Sequence, residues 1–185
     1  MGYNQRGFSL IELVMVIAII ATLSVSGGYI MVFLVQNTVF LPNQLNMDML
    51  AADALDIIVD GDAQAKGLRF SKEITAISGS QVEFINQDSQ TIRYRLNQAT
   101  DRLERSVDGD PWSFIPYYQI AGVSLSTDSA QLFSFYDGAG AVTSVPEDVR
   151  RIVINNLVAQ TGTGSYDAWE GRADMSTSVA VKKFQ

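Results

Sequence analysis

Apolar residues make up 47% of the 185-residue chain and charged residues only 18%, below the roughly 25% of an average soluble protein. Thirteen basic against twenty acidic side chains give a net charge of −7, and without clustered basic residues we predict no nucleic-acid partner. The chain contains no His and no Cys, which excludes an imidazole base, a thiolate nucleophile and metal sites built on either residue. We therefore predict that the chain is not an enzyme and needs no cofactor.

A long uncharged segment, Leu13 to Val35, follows a short polar head. As an α-helix it would be about 35 Å long at roughly 1.5 Å per residue, and the hydrocarbon core of a bilayer is about 30 Å thick. Its apolar residues occur on all sides, unlike the single stripe of a helix that lies on a membrane surface. Arg6 and the amino terminus favour a cytoplasmic location for the polar head. The sequence therefore predicts a membrane-spanning helix.

Glu12 directly precedes this uncharged segment. An unpaired carboxylate inside a membrane costs about 2–3 kcal/mol or more. Glu12 is therefore expected either to stay at the membrane interface, as at the edge of an ordinary signal anchor, or to have a partner. Charge alone leaves both interpretations open.

The sequence around this residue, RGFSLIELV at positions 6–14, resembles the class III signal of type IV pilins and related pseudopilins. The resemblance implies that a membrane aspartyl peptidase, the prepilin peptidase, cuts the bond between Gly7 and Phe8. Phe8 then becomes the first residue of the mature chain and is N-methylated. Glu12 matches the acidic fifth position of the mature family sequence. Staggered packing of neighbouring helices could bring its carboxylate to the free α-amine of the next subunit, forming an assembly salt bridge.

A conventional secretory signal is the competing interpretation of the same region. Its apolar part would be Leu13 to Leu23, and its cleavage site would be the small residues at positions 24–26. Glu12 and the continued apolarity through Val35 both count against it. A lipoprotein signal is excluded because it requires a Cys.

Beyond Val35 the sequence predicts an amphipathic continuation of the helix, followed by strands. The helical pattern rests on apolar residues at three- and four-residue steps: Leu45, Met49, Ala52, Leu55 and Val59. Pro42 is expected to kink the helix or to begin its second piece near Leu41. Asp60-Gly61-Asp62 ends the pattern, with Gly61 as a neighbour of the C-cap.

The remainder of the chain alternates short apolar runs with turn residues, which is typical of β-structure. The predicted strands are Ile74 to Ile77, Gln81 to Asn86, Thr91 to Leu96, Arg102 to Val107, Val123 to Thr127, Gln131 to Tyr136, Val149 to Val158 and Thr177 to Phe184. We expect an antiparallel sheet packed on the second half of the helix. The prediction is an α+β chain, pilin-like in its architecture. Its parts are a leader (1–7), a transmembrane and filament-core helix (8–35), an amphipathic continuation (36–60) and a β-rich head (61–185).

Several features of the head could be sites, and each has a simpler structural explanation. The acidic pairs Asp60/Asp62 and Asp108/Asp110 have too few ligands for a calcium loop and are expected to be polar turns, so no metal site is predicted. Aromatic residues could form a binding surface, but packing against the head is the preferred interpretation. They are Trp112, Phe114, Tyr117 and Tyr118 in one segment and Tyr166 and Trp169 in another. Lys182 and Lys183 are expected to face solvent.

The function implied by these features is that of a structural subunit of a type IV filament, either a type IV pilus or a type II secretion pseudopilus. A minor, assembly-initiating subunit is favoured. The alternative is a tip adhesin or cargo-binding module that uses the loops 112–118 and 166–169. The expected partners are other pilin or pseudopilin subunits, the prepilin peptidase and methylase, and the inner membrane. The head is expected in the periplasm and then in a filament or at the cell surface.

Overall fold

The computed structural model describes residues 9–35, 37–38, 41–117, 123–161 and 171–181. The chain divides into two compact units, residues 1–42 and residues 43–185. Its long elements are two helices, α1 (Leu10–Val35) and α2 (Leu41–Val59), followed by strands. A long apolar helix followed by antiparallel sheets confirms the predicted α+β class.

Helix α1 has 26 residues, none of which is buried. Its Ser and Thr side chains bond to the helix itself: the hydroxyl of Thr22 donates to the carbonyl of Ile19 at 2.8 Å, and that of Ser24 to the carbonyl of Ile20 at 2.8 Å. Such bonds leave these hydroxyl donors paired in an apolar environment. Gly27 and Gly28 lie within its continuous span. Its length and composition would allow it to cross a membrane.

Helix α2 begins where Pro42 predicts, because Pro at the second position has no intrahelical hydrogen bond to lose. The predicted buried face is wrong in part. Leu45 and Met49 are 60% and 61% exposed, and Ala52 is also exposed. The buried face consists of Met47, Leu50, Ala51, Ala54, Leu55, Ile58 and Val59. The helix carries two apolar rows that converge near Leu55, and periodicity cannot show which of them meets the sheets.

The end of α2 follows the prediction for Gly61, whose N–H donates to the carbonyl of Asp56 at 3.2 Å. Gly61 has φ +93°, and a side chain there would collide with the carbonyl of Ala65. The turn then closes through the Asp62 N–H, which donates to the Ala65 carbonyl at 3.0 Å. The chain thereby turns back toward the first sheet.

The first sheet has five antiparallel strands in sequence order. They are β1 (Ser71–Ser78), β2 (Gln81–Asn86), β3 (Thr91–Asn97), β4 (Arg102–Val107) and β5 (Ser113–Phe114). In β2 and β3 every second residue is buried, so one face of the sheet meets the core. The two-residue strand β5 was not predicted, because it is too short to show alternation.

The second sheet is built around one long strand, so the single predicted sheet is in fact two. Its strands are β6 (Val123–Thr127), β7 (Phe133–Tyr136), β8 (Arg151–Thr161) and β9 (Arg172–Ala180). On β8, Ile154 pairs with Phe133 of β7 and Leu157 pairs with Thr127 of β6, and both also pair with β9. Strands β7 and β6 therefore share one edge of β8, and β9 occupies the other.

A bulge in β8 separates these two pairings. There Asn156 has φ +36°, and its backbone N–H donates to the Ser176 hydroxyl at 2.9 Å. The Asn155 amide donates to the Ser134 hydroxyl at 2.7 Å. These side-chain bonds replace the ladder that the extra residue interrupts.

The head has one apolar core, to which the buried face of α2 and both sheets contribute. Phe84 and Tyr94 stack in it with ring centroids 5.9 Å apart. The Tyr94 hydroxyl donates to the carbonyl of Ile57 at 2.9 Å, which satisfies a free carbonyl near the end of α2. Burial raises the pKa of Tyr94 well above its ordinary value, so this phenol remains a donor at any physiological pH.

Candidate functional site

The N-terminus of α1 is formed by a reciprocal pair of hydrogen bonds between Ser9 and Glu12. The Ser9 N–H donates to Oε2 of Glu12 at 2.8 Å, and the Glu12 N–H faces the Ser9 hydroxyl oxygen at 3.3 Å. The first helical bond runs from the Leu13 N–H to the Ser9 carbonyl at 3.2 Å. This is a capping box, with Ser9 as N-cap. The predicted cleavage residues Gly7 and Phe8 lie outside the described residues.

The capping box gives Glu12 a local partner that the sequence analysis missed. The signal was present, because Ser followed three residues later by Glu marks a helix start. A carboxylate at this position also interacts favourably with the positive end of the helix dipole. The charge of Glu12 therefore has a structural use within its own subunit, in addition to the salt bridge implied by the family resemblance.

The acidic pairs considered for calcium are polar turns with partners from the protein. Asp60 forms an ion pair with Arg69 at 2.6 Å. Asp108 accepts a hydrogen bond from the Thr91 N–H at 2.7 Å, and the backbone N–H of Asp110 donates to the Val107 carbonyl at 2.8 Å. Among the described residues there is no group of three or more acidic, His or Cys side chains that could hold a metal ion.

Asp62 belongs to a cluster around Arg105, a buried arginine that the sequence did not single out. Arg105 is 0% exposed, and its Nη1 lies 2.9 Å from Oδ1 of Asp62. Its Nη2 donates to Oε1 of Gln64 at 3.0 Å and to the Tyr117 hydroxyl. Arg105 was not predicted to be buried because charged residues in a strand usually face solvent.

The cluster changes the titration of Asp62. Burial alone would raise the pKa of this carboxyl, but the Arg105 guanidinium and the N–H groups of Gln64 and Ala65 outweigh it and hold the pKa below its ordinary value. Because Gln64 and Tyr117 also bond to Arg105, the cluster connects the turn after α2, strand β4 and the aromatic segment. These bonds hold the three parts of the head together.

The aromatic segment covers arginines of the first sheet, in line with the preferred interpretation. The guanidinium of Arg95 lies 3.9 Å from the ring centre of Trp112, and that of Arg102 lies 4.5 Å from Phe114. Arg105 lies 5.5 Å from the ring centre of Tyr117. Each of these rings therefore contacts an arginine of the first sheet, although Tyr117 remains 48% exposed. The other residues considered, Tyr118, Tyr166, Trp169, Lys182 and Lys183, lie outside the described residues.

Comparison with known proteins identifies one feature, located at the start of the chain. Residues 2–27 match the family model for the prokaryotic N-terminal methylation motif. No curated protein and no solved structure matches the chain. The matched span contains the Ser9–Glu12 capping box and the first part of α1, and the motif implies processing by prepilin peptidase and assembly with other pilins. The chain therefore carries the class III signal of type IV pilins and pseudopilins.

Proposed function

We propose that the protein is a structural subunit of a type IV filament, either a pilus or a type II secretion pseudopilus, with no catalytic site of its own. The observation that carries this proposal is the methylation motif at residues 2–27, placed directly on a helix that has no buried residue. Such a helix needs apolar surroundings all round, which a membrane supplies before assembly and neighbouring helices supply afterwards.

Processing follows from the same motif. The Gly7–Phe8 bond is cut by the prepilin peptidase on the cytoplasmic side, and Phe8 is then N-methylated. Mass spectrometry of the terminal peptide from the membrane or filament fraction should find a chain that begins at Phe8 with one added methyl group. Gly7→Ala should be cut, and a bulky residue at position 7 should block cutting. A terminus near Gly27 would instead identify an ordinary secretory signal and contradict the proposal.

The protein spans the inner membrane once, with its head in the periplasm, until it enters a filament. Arg6 supports this orientation, because positive charges favour the cytoplasmic side. After cleavage, Glu12 pairs with the free α-amine of a neighbouring Phe8. The local bond from the Ser9 N–H would then be exchanged for a charge-assisted one.

Within the filament, the protein is a minor subunit that helps to initiate assembly. Supporting this, the mature chain without Arg6 has a net charge of 12 − 20 = −8, so repeated identical subunits would repel one another, although salt screens this repulsion over about 8–10 Å. Quantitative mass spectrometry of sheared filaments should find it at a small fraction of the dominant subunit. Its deletion should reduce the number of filaments more than their length. Finding it as the most abundant subunit would contradict this role.

A further inference from the structure

A groove of about 570 Å³ lies between helix α2 and strand β9, entirely within the unit of residues 43–185. Ala52 and Asp56 contribute to its helical wall, and residues 174–177 form its strand wall. Along the core-facing side of β9, Ala173 and Val179 near its ends are buried, while Met175 and Thr177 between them are only half-buried. The described residues therefore leave the middle of the strand partly exposed.

The hydrogen bonds of β9 show which of its peptide groups face away from β8. The Thr161 N–H donates to the Gly171 carbonyl at 3.1 Å, and the Val181 N–H donates to the Arg150 carbonyl at 2.8 Å. In antiparallel pairs, bonded and non-bonded positions alternate, so the odd-numbered residues of β9 bond to β8. The even-numbered residues, which include Asp174 and Ser176 at the groove, point their N–H and C=O groups outward.

At Arg172, the first outward-facing position of β9, the backbone groups already bond to a side-chain amide. The Arg172 N–H donates to Oε1 of Gln44 at 3.1 Å, and Nε2 of Gln44 donates to the Arg172 carbonyl at 2.6 Å. These are the two bonds that an adjacent strand would exchange with this residue. The backbone groups of Asp174 and Ser176 have the same orientation and no hydrogen-bond partner among the described residues. Beyond Gln44, no described residue pairs with this edge at Asp174 or Ser176.

The charge of the groove indicates what it would bind. Asp60 is paired with Arg69 at 2.6 Å, and Asp174 is paired with Arg172 at 3.2 Å. Asp56 is exposed, and no described residue forms an ion pair or hydrogen bond with its side chain. A basic partner would therefore gain an unshared carboxylate. A second copy of this chain, with its net charge of −7, is a poor match for this surface.

We propose that the groove between α2 and β9 binds an extended segment of a different protein, which adds to β9 as a strand at Asp174 and Ser176 and places a Lys or Arg side chain against Asp56. Main-chain hydrogen bonds provide the affinity in this mode of recognition, and the side chain that reaches the groove provides the selectivity. The binding site lies within the unit of residues 43–185 and does not depend on how α1 is processed. It adds a second interaction to filament assembly.

The test uses the full chain in detergent micelles and two synthetic peptides, one of eight residues alternating Thr and Lys and one alternating Thr and Glu. Amide hydrogen exchange is followed by NMR. The Lys peptide should slow exchange at Asp174 and Ser176 on the order of tenfold, because bound amides exchange only on release. The Glu peptide should leave both rates unchanged. Equal protection by both peptides, or none by the Lys peptide, would overturn the proposal.

Two charge reversals provide the matched controls. Asp56→Lys should abolish the protection given by the Lys peptide. Asp148→Lys, which reverses an exposed carboxylate on the short turn Pro146–Asp148 and away from the groove, should retain it. The urea midpoint of both variants should equal that of the parent. A loss of peptide binding can then not be attributed to a loss of folding. Protection that survives in Asp56→Lys would contradict the role of this carboxylate.

In cells, a photo-cross-linking residue at position 52, an exposed position in the helical wall of the groove, identifies the occupant. Adducts to a Lys- or Arg-bearing segment of a different protein, lost in Asp56→Lys and kept in Asp148→Lys, would support the proposal. Adducts to a second copy of this chain, or the absence of adducts, would overturn it. Either failure would leave the Phe8 terminus and filament assembly untouched, so the two proposals can fail separately.

Discussion

The two helices of this protein are both rich in apolar residues, yet only one of them has a buried face. Helix α1 buries no residue, whereas α2 buries seven. Beyond Glu12 in its first turn, α1 carries no charge on any side, while α2 alternates its buried residues with Asp53, Asp56 and other polar residues. The apolar content of a helix therefore predicts that its surface must be covered. The distribution of its polar residues predicts whether the protein's own core provides that cover.

The largest effect on stability is expected when the same substitution, Ile to Ala, is made in each helix and the two results are compared. Ile58→Ala should lower the free energy of unfolding of the head by about 2–5 kcal/mol, because Ile58 is fully buried and its loss leaves a cavity. Ile19→Ala, in exposed surroundings on α1, should leave head stability unchanged. Urea unfolding of the detergent-solubilised chain, followed by near-UV circular dichroism, measures both. Equal losses would show that α1 is part of the folding unit of the head.

A smaller effect is expected at the turn that follows α2. Asp62→Asn should cost about 2 kcal/mol, less than the 3–5 kcal/mol of a fully buried pair, because Asp62 is 19% exposed. The folded-state pKa of Asp62 is lowered, so its contribution is complete well above the ordinary value of 3.8 and is lost as the pH falls through the folded pKa. Between pH 7 and pH 2, the free energy of unfolding of the parent should therefore fall by this amount more than that of Asp62→Asn. If the free energies of unfolding of parent and variant change with pH in parallel, the stabilising role of the Asp62–Arg105 ion pair is contradicted.

The smallest effect on stability is expected at the start of α1. Substitutions there can separate the two roles of Glu12, as a helix cap and as a partner in the proposed intersubunit salt bridge. Ser9→Ala should cost the helix about 1 kcal/mol by removing the N-cap, yet it keeps the charge of Glu12. Glu12→Gln keeps a capping side chain and removes the charge. If the intersubunit salt bridge dominates, Glu12→Gln should lower the fraction of subunit in sheared filaments and Ser9→Ala should not. The measurement is the ratio of filament to membrane pools by immunoblot.

The opposite result in that experiment would also be informative. Full incorporation of Glu12→Gln together with poor incorporation of Ser9→Ala would mean that Glu12 acts as a cap alone. Glu12→Val, which removes both the charge and the cap, serves as the control that should fail under either interpretation. Normal incorporation of all three variants would show that neither use of the carboxylate matters for assembly.

Much of the head was predictable because its strands are half-buried and alternate. The predicted strands Gln81 to Asn86 and Arg102 to Val107 have the bounds of β2 and β4, and Val123 to Thr127 has those of β6. The division into two sheets was not predictable, since alternation shows which side chains are buried but not which strand pairs with which. The predicted last strand, Thr177 to Phe184, begins at Arg172 instead, where Gln44 of α2 bonds to its backbone.

Two site features escaped prediction for different reasons. The Ser9–Glu12 capping box is a local pattern and could have been identified from the sequence. The Arg105 cluster could not, because Asp62 and Gln64 lie far from Arg105 along the chain, and a charged residue in a strand gives no sign of being buried. The same distinction applies to Asp56: only the tertiary packing decides that no described residue forms an ion pair or hydrogen bond with its side chain.

The sequence by itself determined the features that depend on neighbouring residues: the class III signal, the uncharged helix that follows it, the restart of the helix at Pro42 and the reversal at Gly61. These features follow from local sterics, charge and hydrophobicity. Only the tertiary structure decided which apolar row of α2 is buried, how the strands divide into sheets, and that the described residues leave a groove between β9 and Asp56. Those outcomes depend on contacts between residues far apart in the chain, where many pairings satisfy the same local pattern and only packing selects among them.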